Sequence, residues 1–224
     1  MQNVQSVYDE IAEEWNKYKS NPLPAMNLLI DYGTNGSGHE RCLDAGTGNG
    51  RHLPLLAKKY ETVYAIDNSQ KLLSIAAKNA ELNQLTNVHF DLADITLLPF
   101  ETGIFDDVYC IAVLHHLASD KILVAFKEIS RVLKPGGLLI ASVWNKHESK
   151  FSNLQNEDYV PWKMQNGKTV KRFVHFFESE EIRQYAEQSG LEIVDLFFES
   201  RGQKVSGVVE KNTAQNLCFI LKKA

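Results

Sequence analysis

The chain has 224 residues, 44% of them hydrophobic, and a formal net charge of −4. That is enough material for one sizeable core, which at this length predicts a single domain over 1–224. No run reaches the roughly 18 apolar residues of a membrane span and no basic-then-apolar leader opens the chain, so a soluble, cytoplasmic protein with no membrane partner is expected. Cys42, Cys110 and Cys218 are far apart, each inside a strand-like apolar run. They read as reduced, buried thiols, and neither disulfides nor a metal site is expected.

In chain order, apolar spacing predicts a helix over Val4–Tyr18 and a second from Pro22 to about Asp31, together an N-terminal helical cover over 1–36 that ends in a loop rich in Gly, Asn and Ser. Strands are expected near 40–45, 62–66, 87–91, 105–111 and 137–144, with helices over Ser69–Asn83 and Asp120–Leu133 between them. Lys134-Pro135-Gly136-Gly137 reads as a helix stop that turns the chain into the strand Leu138–Trp144. Ser179–Gln188 is a helix ended by Gly190, and strands follow over Leu191–Glu199 and Asn216–Lys222. Only a loop joins those last two, so they should pair antiparallel at one end of the sheet. The alternation means an α/β, doubly wound and mostly parallel sheet of seven strands with an antiparallel C-terminal strand. Residues 145–171 break the rhythm. They are polar, contain Tyr159-Val160-Pro161-Trp162-Lys163, and read as a long loop placed to cover a substrate.

The most informative stretch is Arg41-Cys42-Leu43-Asp44-Ala45-Gly46-Thr47-Gly48-Asn49-Gly50-Arg51. A strand-like run ends in an acid, and three glycines follow at alternate positions. Glycine allows a tight turn and a close approach of backbone to ligand. A dinucleotide fold wants G-x-G-x-x-G, and Arg51 stands where the third glycine would be. The form present resembles the first motif of the class I S-adenosylmethionine-dependent methyltransferases, a Rossmann-like family in which this acid and loop hold the amino-acid moiety of the cofactor. The resemblance assigns Asp44, Gly46, Thr47, Gly48 and Arg51 to S-adenosyl-L-methionine. Thr62-Val63-Tyr64-Ala65-Ile66-Asp67 ends in an acid about twenty residues later, where such folds place a ribose-binding carboxylate. Asp67 before Asn68-Ser69 also reads as a helix cap. By resemblance Asp67 and Asn68 hold the ribose, Asp94 the adenine amino group, Ile95 the ring, and Ile111 lies on the fourth strand leading toward the transferred methyl.

Four further patches carry a narrower likeness: Tyr8-Asp9-Glu10-Ile11-Ala12, Ile111-Ala112-Val113-Leu114-His115-His116, Tyr159-Val160-Pro161-Trp162, and Arg172-Phe173-Val174-His175-Phe176-Phe177 followed by Glu180. Together they resemble the wobble-uridine tRNA carboxymethyl methyltransferases, which convert a carboxymethyl group on uridine 34 to its methyl ester. That likeness implies a tRNA substrate and a small zinc-binding activator protein that covers an exposed hydrophobic edge.

A carboxylate acceptor makes simple demands. With a pKa near ~4 it is ionised at neutral pH and needs no general base, only position, in-line geometry and removal of water. Arg172 is the candidate clamp, with Lys171 and His175 beside it; the alternative is a solvated basic pair ahead of a helix. His116 either positions the acceptor or, like His115, satisfies a core hydrogen bond. Trp15 reads as helix packing. Tyr159 and Trp162 either stack on a splayed base or pin the loop to the body. The net charge is wrong for a protein that grips phosphate alone. Lys163, Lys168, Lys171, Arg172, Arg201, Lys204 and Lys211 nevertheless gather in the C-terminal third, which allows a local basic face.

Overall fold

A computed structural model describes residues 4–33, 41–205 and 214–224; Lys211 and the Gly/Asn/Ser-rich stretch before the first strand fall outside them. Ten strands and six α-helices are described: α1 Val4–Tyr18, α2 Met26–Leu29, β1 Arg41–Ala45, α3 Leu53–Lys59, β2 Thr62–Asp67, α4 Gln70–Leu82, β3 Val88–Leu92, β4 Phe105–Ile111, α5 Ser119–Val132, β5 Leu133–Trp144, β6 Glu157–Lys163, β7 Thr169–His175, α6 Ser179–Gln188, β8 Leu191–Ser200, β9 Gln203–Val205 and β10 Asn216–Lys223. The main sheet runs β3-β2-β1-β4-β5-β10-β8-β9. β3 to β5 are parallel, and β10 lies antiparallel between β5 and β8.

Period-two alternation distributes each central strand over two cores. Leu43, Val108, Cys110, Leu139 and Ala141 face α5 and α6, where Phe126, Ile129 and Ile182 close one layer. Cys42, Tyr109, Ile111 and Ile140 face the other way, against Met26, Leu29, Leu53 and Leu56. Both faces covered is what lets these strands read as nearly continuous apolar runs.

The mostly parallel α/β sheet with its antiparallel last strand is present, and β8 and β10 pair antiparallel toward one end of it as expected; three details differ. The sheet has an eighth strand, the three-residue β9, folded back on β8. The second helix shrinks to the single turn α2, because Pro24 disfavours helical geometry at Leu23. Lys134–Gly137 belong to β5: Leu133 pairs with Phe105 and Leu138 with Asp107, so the extra residues form an irregularity inside the strand. A Cβ on Gly137 would lie 2.6 Å from the Asp106 carbonyl oxygen, which is why glycine stands there.

Residues 145–171 are not a loop. After a 3₁₀ turn at Ser149–Phe151, β6 and β7 pair as an antiparallel hairpin apart from the main sheet. Val170, Arg172 and Val174 are buried on one face of β7, while Thr169 and Lys171 are exposed. The turn contains Asn166-Gly167, with Gly167 at φ +84, a hairpin signal that stood in the sequence.

Candidate active site

The order of strands reverses between β1 and β4, and the crevice beyond their carboxyl ends is where open α/β sheets bind ligands. A pocket of about 880 Å³, counted with its open mouth, lies there. Gly46, Thr47, Gly48 and Arg51 after β1, Asp67 and Asn68 after β2, Asp94 and Ile95 after β3, and Ile111 and His116 at the end of β4 all line it.

The three loop glycines have three physical reasons. At Gly46, φ is +83 and a Cβ would stand 2.4 Å from Val113 Cγ2. At Gly50, φ is +78 and a Cβ would meet Leu53 and Ala76 at 2.9 and 3.1 Å. At Gly48, φ is +59 but the space where a Cβ would sit is open. The first two serve turn and helix packing, and the middle one leaves a cradle. Gly48 N donates to Asp67 Oδ2 at 2.8 Å and Ser69 N to Asp67 Oδ1 at 2.9 Å, so Asp67 ties the glycine loop to Ser69, whose hydroxyl caps α4 by accepting from Leu72 N. Ala112, a non-glycine residue at φ +60, marks stored backbone strain at the exit of β4.

Asp44 does not line the pocket; it is buried behind the loop with Oδ2 unpartnered, and Thr47 Oγ1 nearby is also buried and unpartnered. Burial pushes the Asp44 carboxyl up to about 6, opposed by the Thr47 hydroxyl. Burial raises Asp67 to about 6 as well, opposed by its backbone donors at Ser69 and Gly48. Orphaned acceptors, a cradle with room and a partly desolvated acid pair fit a ligand with an ammonium and two ribose hydroxyls. Asp94 is exposed and accepts from Thr96 N and Oγ1 at 2.8 and 2.7 Å, which leaves its other oxygen for a base amino group.

Across the pocket, α1 presents Val4, Tyr8 and Trp15. Asp9 takes hydrogen bonds from Ser69 Oγ at 2.6 Å and Lys71 N at 3.2 Å, and Asn16 Oδ1 from the amides of Asn49 and Asn79 at 3.0 Å each. The cover is therefore pinned to the glycine loop and α4 by polar contacts. Tyr8 Oη lies 2.8 Å from His116 Nε2, and His116 Nδ1 lies 2.8 Å from the Phe173 carbonyl. A carbonyl only accepts, so Nδ1 carries the ring proton and Nε2 accepts from Tyr8. Burial pulls His116 down to about 4, which keeps it neutral. His115 is buried with Nδ1 unpartnered and stacks on Trp144 with ring centres 4.8 Å apart.

Arg172 is 6% exposed and does not line the pocket directly. Its guanidinium sits 5.8, 5.4 and 5.3 Å from the ring centres of Trp15, Trp144 and Trp162. It forms no ion pair among the described residues, and its Nε and the neighbouring Trp162 Nε1 are buried donors without acceptors. Trp15 therefore packs against Arg172 besides lining the pocket, and Trp162 anchors the hairpin to α1 at 5.3 Å from Trp15. Tyr159, on the other face of β6, meets Phe173 at 5.7 Å.

His175, also assigned to the site, is held elsewhere. An odd offset from Arg172 along β7 turns it to the opposite face, where it faces Glu181 at 3.1 Å and Glu157 at 3.4 Å. It ties the hairpin to α6, away from the pocket. Sequence reasoning gave no role to Tyr8's partnership with His116, or to Trp144 as the platform between His115 and Arg172; both depend on contacts between distant segments.

Strand order, switch point and donor set define a Rossmann-like, cofactor-binding α/β protein. A family model described as a methyltransferase domain matches residues 43–141. Similar curated proteins include the ubiquinone biosynthesis O-methyltransferase of Coxiella burnetii, 27% identical over 196 residues that cover 84% of this chain and 81% of that protein. The tRNA (carboxymethyluridine(34)-5-O)-methyltransferase of Macaca fascicularis is 30% identical over 155 residues, covering 66% of this chain and 22% of its own length. Its Arabidopsis thaliana counterpart is 29% identical over 172 residues, covering 76% and 38%. Among solved structures, an S-adenosylmethionine-dependent methyltransferase from Clostridium acetobutylicum superposes with TM-score 0.76 at 18% identity over 97% of this chain and 99% of that one. A chain from the complex between the Haloferax volcanii Trm112 methyltransferase activator and a methyltransferase gives TM-score 0.76 at 17% identity over 98% and 97%. The chain is an S-adenosylmethionine-dependent methyltransferase with the Rossmann-like fold of the class I enzymes, and S-adenosyl-L-methionine is its cofactor. No helix among the described residues is long and apolar enough to cross a membrane.

Proposed function

We propose that this methyltransferase esterifies a carboxylate, and that its acceptor is the carboxymethyl group of tRNA wobble uridine. Arg172 carries the reading. A buried cation with an unpartnered Nε, caged by three tryptophans and free of any carboxylate among the described residues, is suited to an anionic ligand. Trp162 Nε1 offers a second orphaned donor beside it.

When bound, the cofactor supplies a sulfonium methyl, which passes to the acceptor oxygen as the sulfur–carbon bond returns its electron pair to sulfur. Asp44, Thr47 and the Gly46–Gly48 backbone would hold the amino-acid moiety, Asp67 and Asn68 the ribose, and Asp94 and Ile95 the base. Arg172 orients the acceptor carboxylate, while the Tyr8–His116–Phe173 chain fixes α1 over the site and excludes water. No proton has to be removed. This suits a pocket whose nearest histidine, lowered to about 4 and bonded at both nitrogens, is a poor base near neutral pH.

A phenolic acceptor is the second reading, favoured by the Coxiella burnetii relative's cover of 84% of this chain. It would need a base to ionise the phenol. The Haloferax volcanii neighbour comes from a complex with a methyltransferase activator, and we propose a small zinc-binding activator as partner here too. Labelled cofactor, tRNA bearing 5-carboxymethyluridine and purified enzyme, with and without such an activator, test the reading: an alkali-labile methyl ester is expected on the wobble nucleoside. Methylation of a prenylated phenol with none of the tRNA would overturn it.

A further inference from the structure

One carboxylate of the cover helix points away from the pocket and into the start of another helix. Asp9 Oδ1 accepts from Ser69 Oγ at 2.6 Å and from Lys71 N at 3.2 Å, so α1 caps the first turn of α4 across 60 and 62 positions. Ser69 is fully buried between two acids. Its hydroxyl has a single proton, which goes to Asp9, and the same oxygen accepts from Leu72 N at 3.2 Å. Its backbone N–H donates to Asp67 Oδ1 at 2.9 Å, while Gly48 N holds Asp67 Oδ2 at 2.8 Å. The plane of the Asp67 carboxylate is therefore set before any ligand arrives.

Asp67 lines the pocket, whereas Asp9 and Ser69 do not, so Asp9 can act on a ligand only through its neighbours. Without the Asp9 oxygen, the Ser69 proton loses its acceptor and Lys71 N its cap, and the turn that holds Asp67 Oδ1 loosens with them. Charge runs along the same line. The Asp9 carboxylate opposes ionisation of Asp67. Two other titratable groups face Asp67: Tyr8, also on α1, and Asp44 in β1.

We propose that Asp9 is a positioning residue for the methyl donor: through Ser69 it fixes the carboxylate that receives the ribose hydroxyls, so that α1 takes part in binding S-adenosyl-L-methionine without touching it there. The inference rests on the assignment of Asp67 to the ribose and is independent of the acceptor. The link is reciprocal by thermodynamic necessity. A donor held at Asp67 stabilises α1 in its docked place, and docking of α1 tightens the donor by the same factor.

Calorimetry with S-adenosylhomocysteine on the full chain tests this for the wild type, Asp9→Ala, Asp9→Asn and Asp67→Asn, with circular dichroism to show that each is folded. At pH 8, Asp9→Ala should bind at least about fivefold more weakly, the lower end of coupling between sites. Asp9→Asn keeps an oxygen for Ser69 Oγ and Lys71 N and should recover most of that loss. Its charge is gone, so Asp67 stays ionised to lower pH, and affinity should fall less between pH 7 and pH 5 than in the wild type. Wild-type affinity in folded Asp9→Ala would overturn the proposal. So would an Asp9→Asn pH profile that superimposes on the wild type, a result that can be read even if Asp9→Ala does not fold. Unchanged affinity in Asp67→Asn would sink the ribose assignment itself, and the link through Ser69 with it.

Discussion

The two halves of the pocket are built from different materials. The cofactor half is backbone and carboxylate: glycine φ angles, strand ends and the acids Asp44 and Asp67, with the bond from Gly48 to Asp67 spanning 19 positions. The acceptor half is aromatic and cationic, and its bonds cross the chain: Tyr8 reaches His116 over 108 positions, and His116 reaches Phe173 over 57. A cofactor site made locally would serve any acceptor, because the glycine turn folds with its own βα unit. On the proposed reading, acceptor choice would fall to a helix and a hairpin that meet only when the whole chain has folded.

Substitutions in the two halves should therefore separate. The largest effect belongs to Gly46→Ala. Left-handed strain of about 1–2 kcal/mol and overpacking against Val113 of about 1–3 kcal/mol should fall together on stability, read by denaturant melts, with cofactor binding lost. Gly48→Ala should show the strain alone, since its Cβ would point into open space. Equal destabilisation would mean the two glycines share one role.

Next comes Arg172→Met, which keeps length and removes charge. Turnover should fall roughly 10- to 150-fold, from about 1.5–3 kcal/mol for a hydrogen bond to a charged group, while calorimetry with S-adenosylhomocysteine stays at the wild-type value. Arg172→Lys should rescue little, because an ammonium cannot make the forked contact. Loss of cofactor affinity in either variant would move Arg172 to the other half.

Asp67→Asn should do the reverse, weakening cofactor affinity by about 1.5–3 kcal/mol and touching the acceptor only through it. The pH dependence has the same origin. Burial holds the Asp44 and Asp67 carboxyls up at about 6, and a cofactor that pairs with their ionised forms would release protons on binding. Affinity should rise as pH climbs through 6 and fall below it, by at most about tenfold per pH unit for each group. A flat profile between pH 5 and 7 would show that neither carboxyl titrates there.

The smallest effect is that of His175→Gln. A half-exposed partner such as Glu157 makes its ion pair worth about 0–1 kcal/mol, so stability should drop slightly with KM for both substrates unmoved. A changed acceptor KM would mean that its link from the hairpin to α6 reaches the pocket.

The same division decides what could be read in the sequence. The glycine turn, the strand-ending acids and the alternating layers follow from local spacing, and Gly46, Asp67, Ile95 and Ile111 stand together as the motif order implies. The hairpin β6–β7 was legible in principle from Asn166-Gly167 between alternating runs, yet the polar character of the segment suggested a loop. That error placed Arg172 and His175 side by side, when a strand's period of two sends them to opposite faces. The tryptophan cage had no local signal, because Trp15, Trp144 and Trp162 come from three separate elements. β10 entering between β5 and β8 was equally silent, since antiparallel pairing fixes the neighbour and not the order.

The most direct measurement compares, by calorimetry with S-adenosylhomocysteine bound, 5-carboxymethyluridine and its neutral 5-carbamoylmethyl analogue. If Arg172 holds the acceptor anion, the acid binds at least about tenfold more tightly, as a charge-assisted contact of about 1.5–3 kcal/mol requires, and Arg172→Met abolishes the difference. Equal binding of acid and amide by the wild-type protein would contradict it.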